Sequence, residues 1–455
     1  MKKIEFLFSV NRDEQKTLVT QIYSKIKKAI LDGNLKSGDM LPSIRKATTS
    51  LSVSKSSVIS AYLQLVTEGF VENRPQKGYF VCKIDAVEQK TLTHDLDFRE
   101  QNISYINDGI DRNSFSRTVW KKYYNNILLD ESIDLTNLGD EQGELELRYA
   151  ISNFVRTHRG SNCTPEQVII GSGIQTLIQT LIRITEGDYT LAALEFPGYK
   201  KVEYVFSDAN FSIKKLPVED NGVSMAALGK IENALIYVSP AYQYPLGKVM
   251  SIDKRLELIR HAESKKCLII EDDYASTIRY EAKPIAALQG LDNFGNTVYL
   301  GSFSKTFLPS LRISFMIIPQ KYVQKYYSIK SRYTHSCSKI EQLALAKFIS
   351  EGQMERHLKR INNIYKQKNA IISTYIKNHY ANRLFIENGD SGFHMIFKCK
   401  TPRNRTFIED FRDEFLLVDI IDFCDGNLTF LFSYSGLQND EIPYILDRIV
   451  QILQI

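Results

Sequence analysis

Residues 301–315 have the sequence GSFSKTFLPSLRISF, and this stretch decides the fold of most of the chain. It holds one lysine, Lys305, among small hydroxyl residues, and one arginine, Arg312, seven positions later. A lysine amine is a nucleophile, and hydroxyls together with an arginine are groups that bind a phosphate. The stretch therefore predicts a turn that holds a reactive amine beside a bound anion.

Short apolar runs flank this turn and recur from about residue 106 onward, separated by helical patterns. They are QVIIG, YTLAALE, ALIYVSP, CLIIEDD, TVYLGS and ISFMIIP. Runs that are apolar throughout are typical of strands buried on both faces of a mainly parallel sheet sandwiched by helices. In such sheets ligands bind beyond the carboxyl ends of the strands, so the residues that follow each run matter most.

Three other strand ends carry chemically useful groups. Ser172 lies in a Gly-Ser-Gly turn that opens a helix, where backbone amides attract an anion, and Tyr199 follows a Pro-Gly turn. Alone, that tyrosine is better explained by packing. The run LIIEDD ends in three adjacent carboxylates, 271–273, at least one of which needs a cationic partner. A metal site there is conceivable, but no His or Cys lies near enough in the sequence to support it.

Together these elements predict a pyridoxal phosphate site. A lysine would form the Schiff base, a carboxylate would hold the ring nitrogen, and Tyr199 would stack on the ring. The phosphate would bind the residues Ser172, Gly173, Ile174, Ser302, Ser304 and Arg312.

Residues 1 to about 82 have a different pattern, that of a small helical domain ending in a hairpin. Leu18, Ile22, Ile26 and Ile30 form one apolar stripe, and Ser43 caps a second helix. A third helix begins at KSSVISAYLQLV, and FVENRPQKGYFV predicts two short strands around a Pro-Gln-Lys-Gly tip. Helix, helix, turn, helix and hairpin make a winged helix-turn-helix, whose third helix enters the major groove of DNA.

The distribution of charge supports a division into a DNA-binding head and a separate body. Residues 1–80 contain 13 Lys and Arg against 7 Asp and Glu, whereas the remaining residues contain 45 against 46. A basic head on a neutral body is expected when only the head binds a polyanion.

Composition excludes several other classes of protein. The hydrophobic fraction of 43% is ordinary, and no apolar run is long enough to span a membrane. The six cysteines form no CxxC pair, so neither a metal site nor a disulfide framework is predicted. The first residues lack a signal-peptide cleavage site, and a cytoplasmic location is the expectation.

The head resembles the GntR family of bacterial regulators over the segment GDMLPSIRKATTSLSVSKSSVISAYLQLVTEGFVENRPQKGYFV. The resemblance and the helix positions assign the DNA-binding residues Ser43, Arg45, Lys55, Ser56, Ser57, Lys77 and Gly78. Lys55 and Ser57 stand where arginine and threonine are usual. Lysine lacks the bidentate fork for guanine, so base specificity at that position is expected to differ.

The body resembles the fold-type I aminotransferases, with a large domain and a smaller C-terminal α/β subdomain. By that resemblance Lys305 is the Schiff-base lysine, Asp272 holds the ring nitrogen, Tyr274 donates to the ring oxygen and Arg312 clamps the phosphate. The resemblance runs from about residue 106 to the C-terminus.

A winged-helix head on such a body resembles the MocR/GabR subfamily of GntR regulators. The domains expected are the DNA-binding head at 1–82, a polar linker at 83–105 and the body at 106–455. The subfamily implies a transcription factor that binds pyridoxal phosphate and a DNA operator as a homodimer, often head-to-tail.

Three departures concern the ligand. Lys201 and Thr429 stand where relatives carry carboxylate-binding arginines, and Ile174 replaces a hydroxyl residue of the phosphate loop. Losing the arginine fork disfavours amino-acid binding. We therefore expect a sensor of pyridoxal phosphate that controls vitamin B6 synthesis genes, as in regulators of the PdxR type, and not an enzyme, although residual transaminase activity stays open. Alternatives are an amino-acid-responsive regulator, an active aminotransferase with a regulatory head, and a DNA-binding protein with an inert body.

Overall fold

The computed structural model describes residues 9–11, 16–84, 109–280, 285–388, 392–414 and 417–455. The chain divides into two compact units, with the boundary between Glu100 and Gln101. Most of the predicted linker 83–105 lies outside the described residues, so the predicted domain boundaries stay predictions. Within the described residues, no helix is long and apolar enough to cross a membrane.

The first unit is a cluster of three helices closed by a hairpin, as the sequence predicts. Its elements are α1 (Leu18–Leu31), α2 (Ile44–Leu51), α3 (Lys55–Thr67), β1 (Val71–Arg74) and the antiparallel β2 (Gly78–Val81). Each helix begins after a hydroxyl residue, Thr17, Ser43 or Ser54, whose side chain accepts a hydrogen bond from an amide of the first turn. Ile22 and Tyr62 are fully buried in the shared core.

The second unit is built on an eight-stranded sheet in the order β3-β10-β9-β8-β7-β4-β5-β6. The strands are β3 (Val168–Gly171), β4 (Leu191–Phe196), β5 (Ser212–Glu219), β6 (Gly222–Val223), β7 (Ala234–Val238), β8 (Leu268–Asp273), β9 (Thr297–Ser302) and β10 (Ser314–Ile317). Strands β9, β8, β7, β4 and β5 are parallel neighbours. β10 runs antiparallel to β3 and β9, and β6 runs antiparallel to β5.

Helices cover both faces of this sheet, which explains its apolar strands. They are α4 (Arg117–Leu128), α5 (Leu145–Arg159), α6 (Ile174–Ile184), α7 (Lys200–Asp208), α8 (Met225–Leu228), α9 (Ile252–Ser264), α10 (Leu288–Leu291), α11 (Gln320–Ile329) and α12 (Lys339–Ser350). Within β3, Ile169 belongs to one buried core and Ile170 to another. The fold-type I architecture predicted from the sequence is confirmed.

A smaller C-terminal subdomain completes the unit. It follows the long helix α13 (Gln353–His379) and consists of β11 (Leu384–Asn388), β12 (His394–Lys400), α14 (Arg405–Glu414), β13 (Val418–Cys424), β14 (Asn427–Ser433) and α15 (Glu441–Leu453). Its four strands form an antiparallel sheet in the order β11-β12-β14-β13.

The first described residues of the body are fastened to this subdomain by what we call the 109–111 anchor. Lys368 of α13 is fully buried and lies 2.5 Å from the Asp111 carboxylate. Its ammonium also donates to the carbonyls of Ser435, at 3.0 Å, and Leu437. Ser435 Oγ donates to the carbonyl of Gly109 at 2.7 Å. The start of the body is therefore held by residues more than 250 positions away.

Candidate functional site

Lys305 lies in the turn after β9 and is half-buried. The Ser304 amide donates to Ser302 Oγ at 3.2 Å, and Ser314 Oγ donates to the same oxygen at 3.0 Å. On the other side of the lysine, His357 Nε2 donates to the Thr306 carbonyl at 2.8 Å. These bonds fix the turn on both sides of the amine.

The acidic end of β8 divides its three carboxylates between different partners. Glu271 accepts from two backbone amides of α10, at 2.8 and 2.9 Å. Asp273 accepts from Arg159 Nε at 2.6 Å and from the Tyr299 hydroxyl at 2.5 Å. Arg159 is thus the cationic partner that this cluster requires.

Asp272, between them, is half-satisfied, and so is Asp273, whose Oδ1 is also buried without a hydrogen-bond partner within the described residues. The Tyr237 hydroxyl donates to its Oδ2, whereas Oδ1 is buried and has no hydrogen-bond partner within the described residues. Burial raises the pKa of Asp272 to about 7, and the charges of Asp273 and Glu271 act in the same direction. A buried carboxylate oxygen without a partner is costly, which indicates a group that joins it on binding.

Tyr274 presents a second buried polar atom of this kind. Its hydroxyl has no hydrogen-bond partner in the part of the chain that the structure describes, and burial raises its pKa well above the ordinary value. Its ring packs against Tyr242 and Tyr244, at centroid distances of 5.9 and 6.1 Å. Because Asp272 and Tyr274 are two residues apart, a carboxylate oxygen and a hydroxyl without hydrogen-bond partners lie at one strand end, within the described residues. This fits the ring nitrogen and ring oxygen of pyridoxal phosphate.

The predicted phosphate loop brings together residues that are far apart in the sequence. Gly173 has φ +148°, and a Cβ at this position would lie 2.7 Å from Arg312 Nη2. The missing side chain of Gly173 therefore makes room for the guanidinium. Ile174 is the first residue of α6, and Ser172 Oγ lies 3.3 Å from Thr176 Oγ1. Helix-end amides beside an arginine form a seat for a phosphate.

The stretch RYTHSCS, residues 332–338, is part of the wall of this seat and was not assigned from the sequence. The Ser172 amide donates to Ser336 Oγ at 3.2 Å, and Cys337 Sγ lies 3.6 Å from the carbonyl of Arg312. Its polar composition was the one available signal, and that signal also fits a surface loop.

Two aromatic residues outside the predicted set, Tyr244 and His394, lie close to the predicted stacking residue Tyr199 or to each other. Tyr199 precedes α7, and its ring meets Tyr244 edge-on at 5.8 Å. His394 of β12 is buried and donates from Nε2 to the Pro245 carbonyl at 3.0 Å. Burial lowers the pKa of His394 to about 4, and the charge of Lys305 adds to the effect, so the imidazole is neutral. No motif identifies His394, because it comes from the C-terminal subdomain.

The two positions that lack an arginine lie on different elements. Lys201 is exposed in the first turn of α7, where its carbonyl accepts from Gln175 Nε2 at 3.4 Å. Thr429 lies within β14, half-buried and paired with Lys398 and Asp422 of the neighbouring strands. The sheet of the C-terminal subdomain therefore fixes the position of Thr429.

The predicted DNA-binding residues lie on the surface of the head. Exposed side chains belong to Ser43, Arg45, Lys55, Ser56 and Lys77. Ser57 is half-buried, and its amide donates to the α3 cap Ser54 at 3.1 Å. Gly78 opens β2 with φ +112°, and a Cβ would lie 3.0 Å from Met40 Cε. The polar start of α3 and the hairpin tip are thus both available to a ligand.

Comparison with known proteins matches both units. Residues 18–81 match the model of bacterial regulatory proteins of the gntR family, and residues 108–382 match the model of aminotransferase class I and II. The uncharacterized HTH-type transcriptional regulator YdeL of Bacillus subtilis is 33% identical, over 86% of each chain.

Other similar proteins have more specific names. The probable rhizopine catabolism regulatory protein MocR of Rhizobium meliloti is 31% identical over 85% of this chain and 83% of its own. The HTH-type pyridoxine biosynthesis transcriptional regulator PdxR of Corynebacterium glutamicum is 27% identical over 87% and 86%. The crystal structure of a kynurenine aminotransferase from Pyrococcus horikoshii has a TM-score of 0.67 at 19% identity, over 77% of this chain and 90% of that one.

Proposed function

The chain belongs to the MocR/GabR subfamily of GntR transcriptional regulators, which join a DNA-binding head to an aminotransferase-like body, and from that premise we propose that pyridoxal phosphate bound to the body is its signal. As a member of this family it is a helix-turn-helix transcriptional regulator. The body has the aminotransferase class I and II fold, and such proteins work with pyridoxal phosphate. The proposal concerns which ligand the body binds and what that ligand changes.

The side chains that would hold the cofactor divide into three groups. Lys305 supplies the amine for the aldehyde, while Asp272 and Tyr274 meet the ring nitrogen and the ring oxygen. Tyr199 lies over the ring. The phosphate takes the loop residues and the cation, namely Ser172, Gly173, Ile174, Ser302, Ser304 and Arg312. When bound, the cofactor is an electron sink, although a sensor needs only its shape and charge.

One observation supports this assignment above the others. Asp272 Oδ1 and the Tyr274 hydroxyl are buried at one strand end without hydrogen-bond partners, in the part of the chain that the structure describes. Leaving each atom unpaired is costly, and a protonated pyridine nitrogen and a ring oxygen would remove both costs. A positive ring nitrogen would also lower the raised pKa of Asp272, so binding and ionisation of this carboxyl are coupled.

The free cofactor is favoured as the signal over an amino acid for two reasons. Lys201 and Thr429 stand where the amino-acid-binding proteins that this chain resembles carry arginines for the substrate carboxylate. The absence of these arginines weakens any amino-acid complex. In addition, one similar protein is named for the regulation of pyridoxine biosynthesis. We therefore propose that the chain controls genes of vitamin B6 synthesis and that its body is a vestigial enzyme serving as a sensor.

The proposed partners follow from the family. Two heads of a homodimer, arranged head-to-tail, would bind paired half-sites of a double-stranded DNA operator. The residues we assign to DNA are Ser43, Arg45, Lys55, Ser56, Ser57, Lys77 and Gly78. We expect this operator binding to take place in the cytoplasm, and we expect neither a membrane nor a metal to be involved.

Binding of the cofactor is tested first. The full-length protein is mixed with pyridoxal phosphate, reduced with borohydride, digested and mapped by mass spectrometry. We expect one modified peptide, at Lys305. An unmodified protein, or a label on surface lysines in proportion to their exposure, overturns the proposal.

The signal is tested on DNA fragments that the protein selects from a random library. Operator affinity is measured with pyridoxal phosphate alone, with unphosphorylated pyridoxal, and with pyridoxal phosphate plus amino acids. A change with pyridoxal phosphate alone is expected. A requirement for an amino acid supports the amino-acid-responsive alternative, and spectral conversion of the cofactor to its amine form supports an active aminotransferase.

A further inference from the structure

The segment that follows β7 folds into a tight loop beside the proposed ring seat, which we call the 242–248 strap. The Gln243 amide donates to the Lys248 carbonyl at 2.9 Å, and the Gly247 amide donates back to the Gln243 carbonyl at 2.6 Å. Tyr242 and Tyr244 of the strap pack on Tyr274. The strap is therefore closed by its own backbone and faces the aromatic cluster.

The side chain of Gln243 joins this strap to another loop. It is 2% exposed, and its Nε2 donates to the Pro197 carbonyl at 2.8 Å and to the Tyr244 carbonyl. Its Oε1 accepts from the Leu246 amide at 3.1 Å. Both Nε2 and Oε1 of the amide thus bond to backbone atoms, and Gln243 acts as a cross-link between two loops.

The two loops that Gln243 joins carry Tyr199 and Tyr244, whose rings we expect to contact a flat ligand. Pro197 lies two residues before Tyr199, which we assign to the face of the cofactor ring. Tyr244 lies edge-on to Tyr199 at 5.8 Å. A shift of either backbone therefore changes the angle between the two rings, and Gln243 is the side chain bonded to both backbones.

The buried carboxyl of Glu195 contacts the same cross-link. Glu195, near the end of β4, accepts from the Ser239 amide at 3.1 Å, and its Oε2 lies 3.4 Å from Gln243 Nε2. Burial raises the pKa of Glu195 to about 8, and the nearby Asp272 adds to the rise. A neutral carboxyl can hold the strap without adding a second negative charge beside Asp272.

We propose that Gln243 is a positioning residue for the cofactor ring, which sets Tyr199 and Tyr244 by bonding to the carbonyls of Pro197 and Tyr244. Gln243 does not itself have to touch the ligand. The inference rests on the proposed function, because it assigns a role at the same site. It predicts that the orientation of the bound ring depends on an amide that lies outside the predicted set of binding residues.

The test compares Gln243→Ala with a matched control, Gln142→Ala. Gln142 is also buried, and its Nε2 donates to two backbone carbonyls, those of Glu166 and Val168, both at 2.8 Å. Each full-length variant is titrated with pyridoxal phosphate, and circular dichroism is recorded in the absorption band of the cofactor. Gln243→Ala should weaken binding about ten-fold, the effect of one or two buried hydrogen bonds, and should lose most of the induced dichroism. Gln142→Ala should keep both within two-fold.

A further variant separates the effect of the amide N–H groups from that of side-chain length. Gln243→Glu keeps the length but has no N–H groups for the two carbonyls, so it should behave like Gln243→Ala. Hydrogen exchange of the Leu246 amide, which bonds Gln243 Oε1, should be faster in Gln243→Ala without any ligand.

The outcomes distinguish this inference from the function on which it rests. A wild type that binds no pyridoxal phosphate overturns both. A wild type that binds, with Gln243→Ala unchanged in affinity and dichroism, overturns the inference alone. Equal losses in Gln243→Ala and Gln142→Ala also overturn it, since they would reflect general loosening of the fold.

Discussion

The head and the body prepare their functional groups in opposite ways. In the head, Lys55 and Ser56 are exposed, and the start of α3 is capped locally by Ser54. In the body, Asp272 and the hydroxyl of the half-buried Tyr274 are buried, and each residue keeps a polar atom without a partner among the described residues. One surface displays satisfied groups to water, whereas the other site holds unsatisfied groups away from it.

This difference determines how much free energy each region loses in its unbound state. Exposed lysines and serines lose little free energy in the unbound head, because water solvates them. The buried atoms of the body destabilise the unbound protein, and the proposed ligand would remove that destabilisation. The proposed DNA surface and the proposed ligand pocket should therefore respond differently to mutation, salt and pH.

The strongest test of the contrast is removal of the buried amine. Lys305→Ala should abolish borohydride labelling by pyridoxal phosphate and weaken its binding at least about a hundred-fold, a loss of about 2.7 kcal/mol. Operator affinity without ligand should stay unchanged, because the head carries it. Lys347→Ala, a surface lysine 3.7 Å from Asp130, is the control and should label normally. Labelling that survives in Lys305→Ala contradicts the assignment.

A second large effect, on stability and not on ligand binding, concerns the 109–111 anchor. Lys368→Met leaves the Asp111 carboxylate buried without its cation and should destabilise the body by about 3–5 kcal/mol. Denaturant unfolding can be followed by fluorescence of Trp120, the single tryptophan, which lies in α4 of the body. The double variant Asp111→Leu with Lys368→Met should recover most of the loss. Unchanged stability in Lys368→Met would mean that the pair does not hold the body.

The stability of the body should also depend on pH through its buried carboxyl, Asp272. Because the folded pKa of Asp272 is raised from 3.8 to about 7, folding favours the protonated carboxyl, and its cost to stability grows as pH rises from about 4 to about 7. Asp272→Asn should therefore stabilise the ligand-free body by about 2–4 kcal/mol at pH 8, with the gain vanishing near pH 4. Urea unfolding of both proteins across this range measures it. A difference that does not vary with pH would contradict the raised pKa.

The smallest expected effect lies in the head. Lys55→Ala should weaken operator binding about ten-fold and reduce the slope of log affinity against log salt by about 1, with ligand binding to the body unchanged. Lys27→Ala is the control, because Lys27 pairs with Glu68 just beyond the last residue of α3, at 2.9 Å. Similar losses in the two variants would mean that general charge, and not the start of α3, binds DNA.

The head was predictable because its contacts are local. Apolar spacing alone identified Ile22 and Ile26 as core, and the Pro-Gln-Lys-Gly tip identified the hairpin. Its proposed DNA-binding residues fall in three short stretches of the sequence, at the starts of α2 and α3 and at the hairpin, so local structure places each group.

The body was predictable only at its strand ends. The lysine turn, the acidic end of β8 and the glycine turn before α6 could each be found, because each is a short motif. Gln243, Glu195, His394 and Ser336 could not, since they join the site through contacts between distant segments. The antiparallel direction of β10 also leaves no trace in a run of apolar residues that is buried on both faces.

The anchor at residues 109–111 has a consequence for the order of events during synthesis. Its partners at residues 435–437 leave the ribosome more than 350 residues after the end of the head, roughly 20 to 70 s later at about 5–20 residues per second. The head, with a core of its own, is complete long before the sensor can close around its first residues. For that interval each nascent chain carries a finished DNA-binding fold that the proposed ligand cannot yet influence.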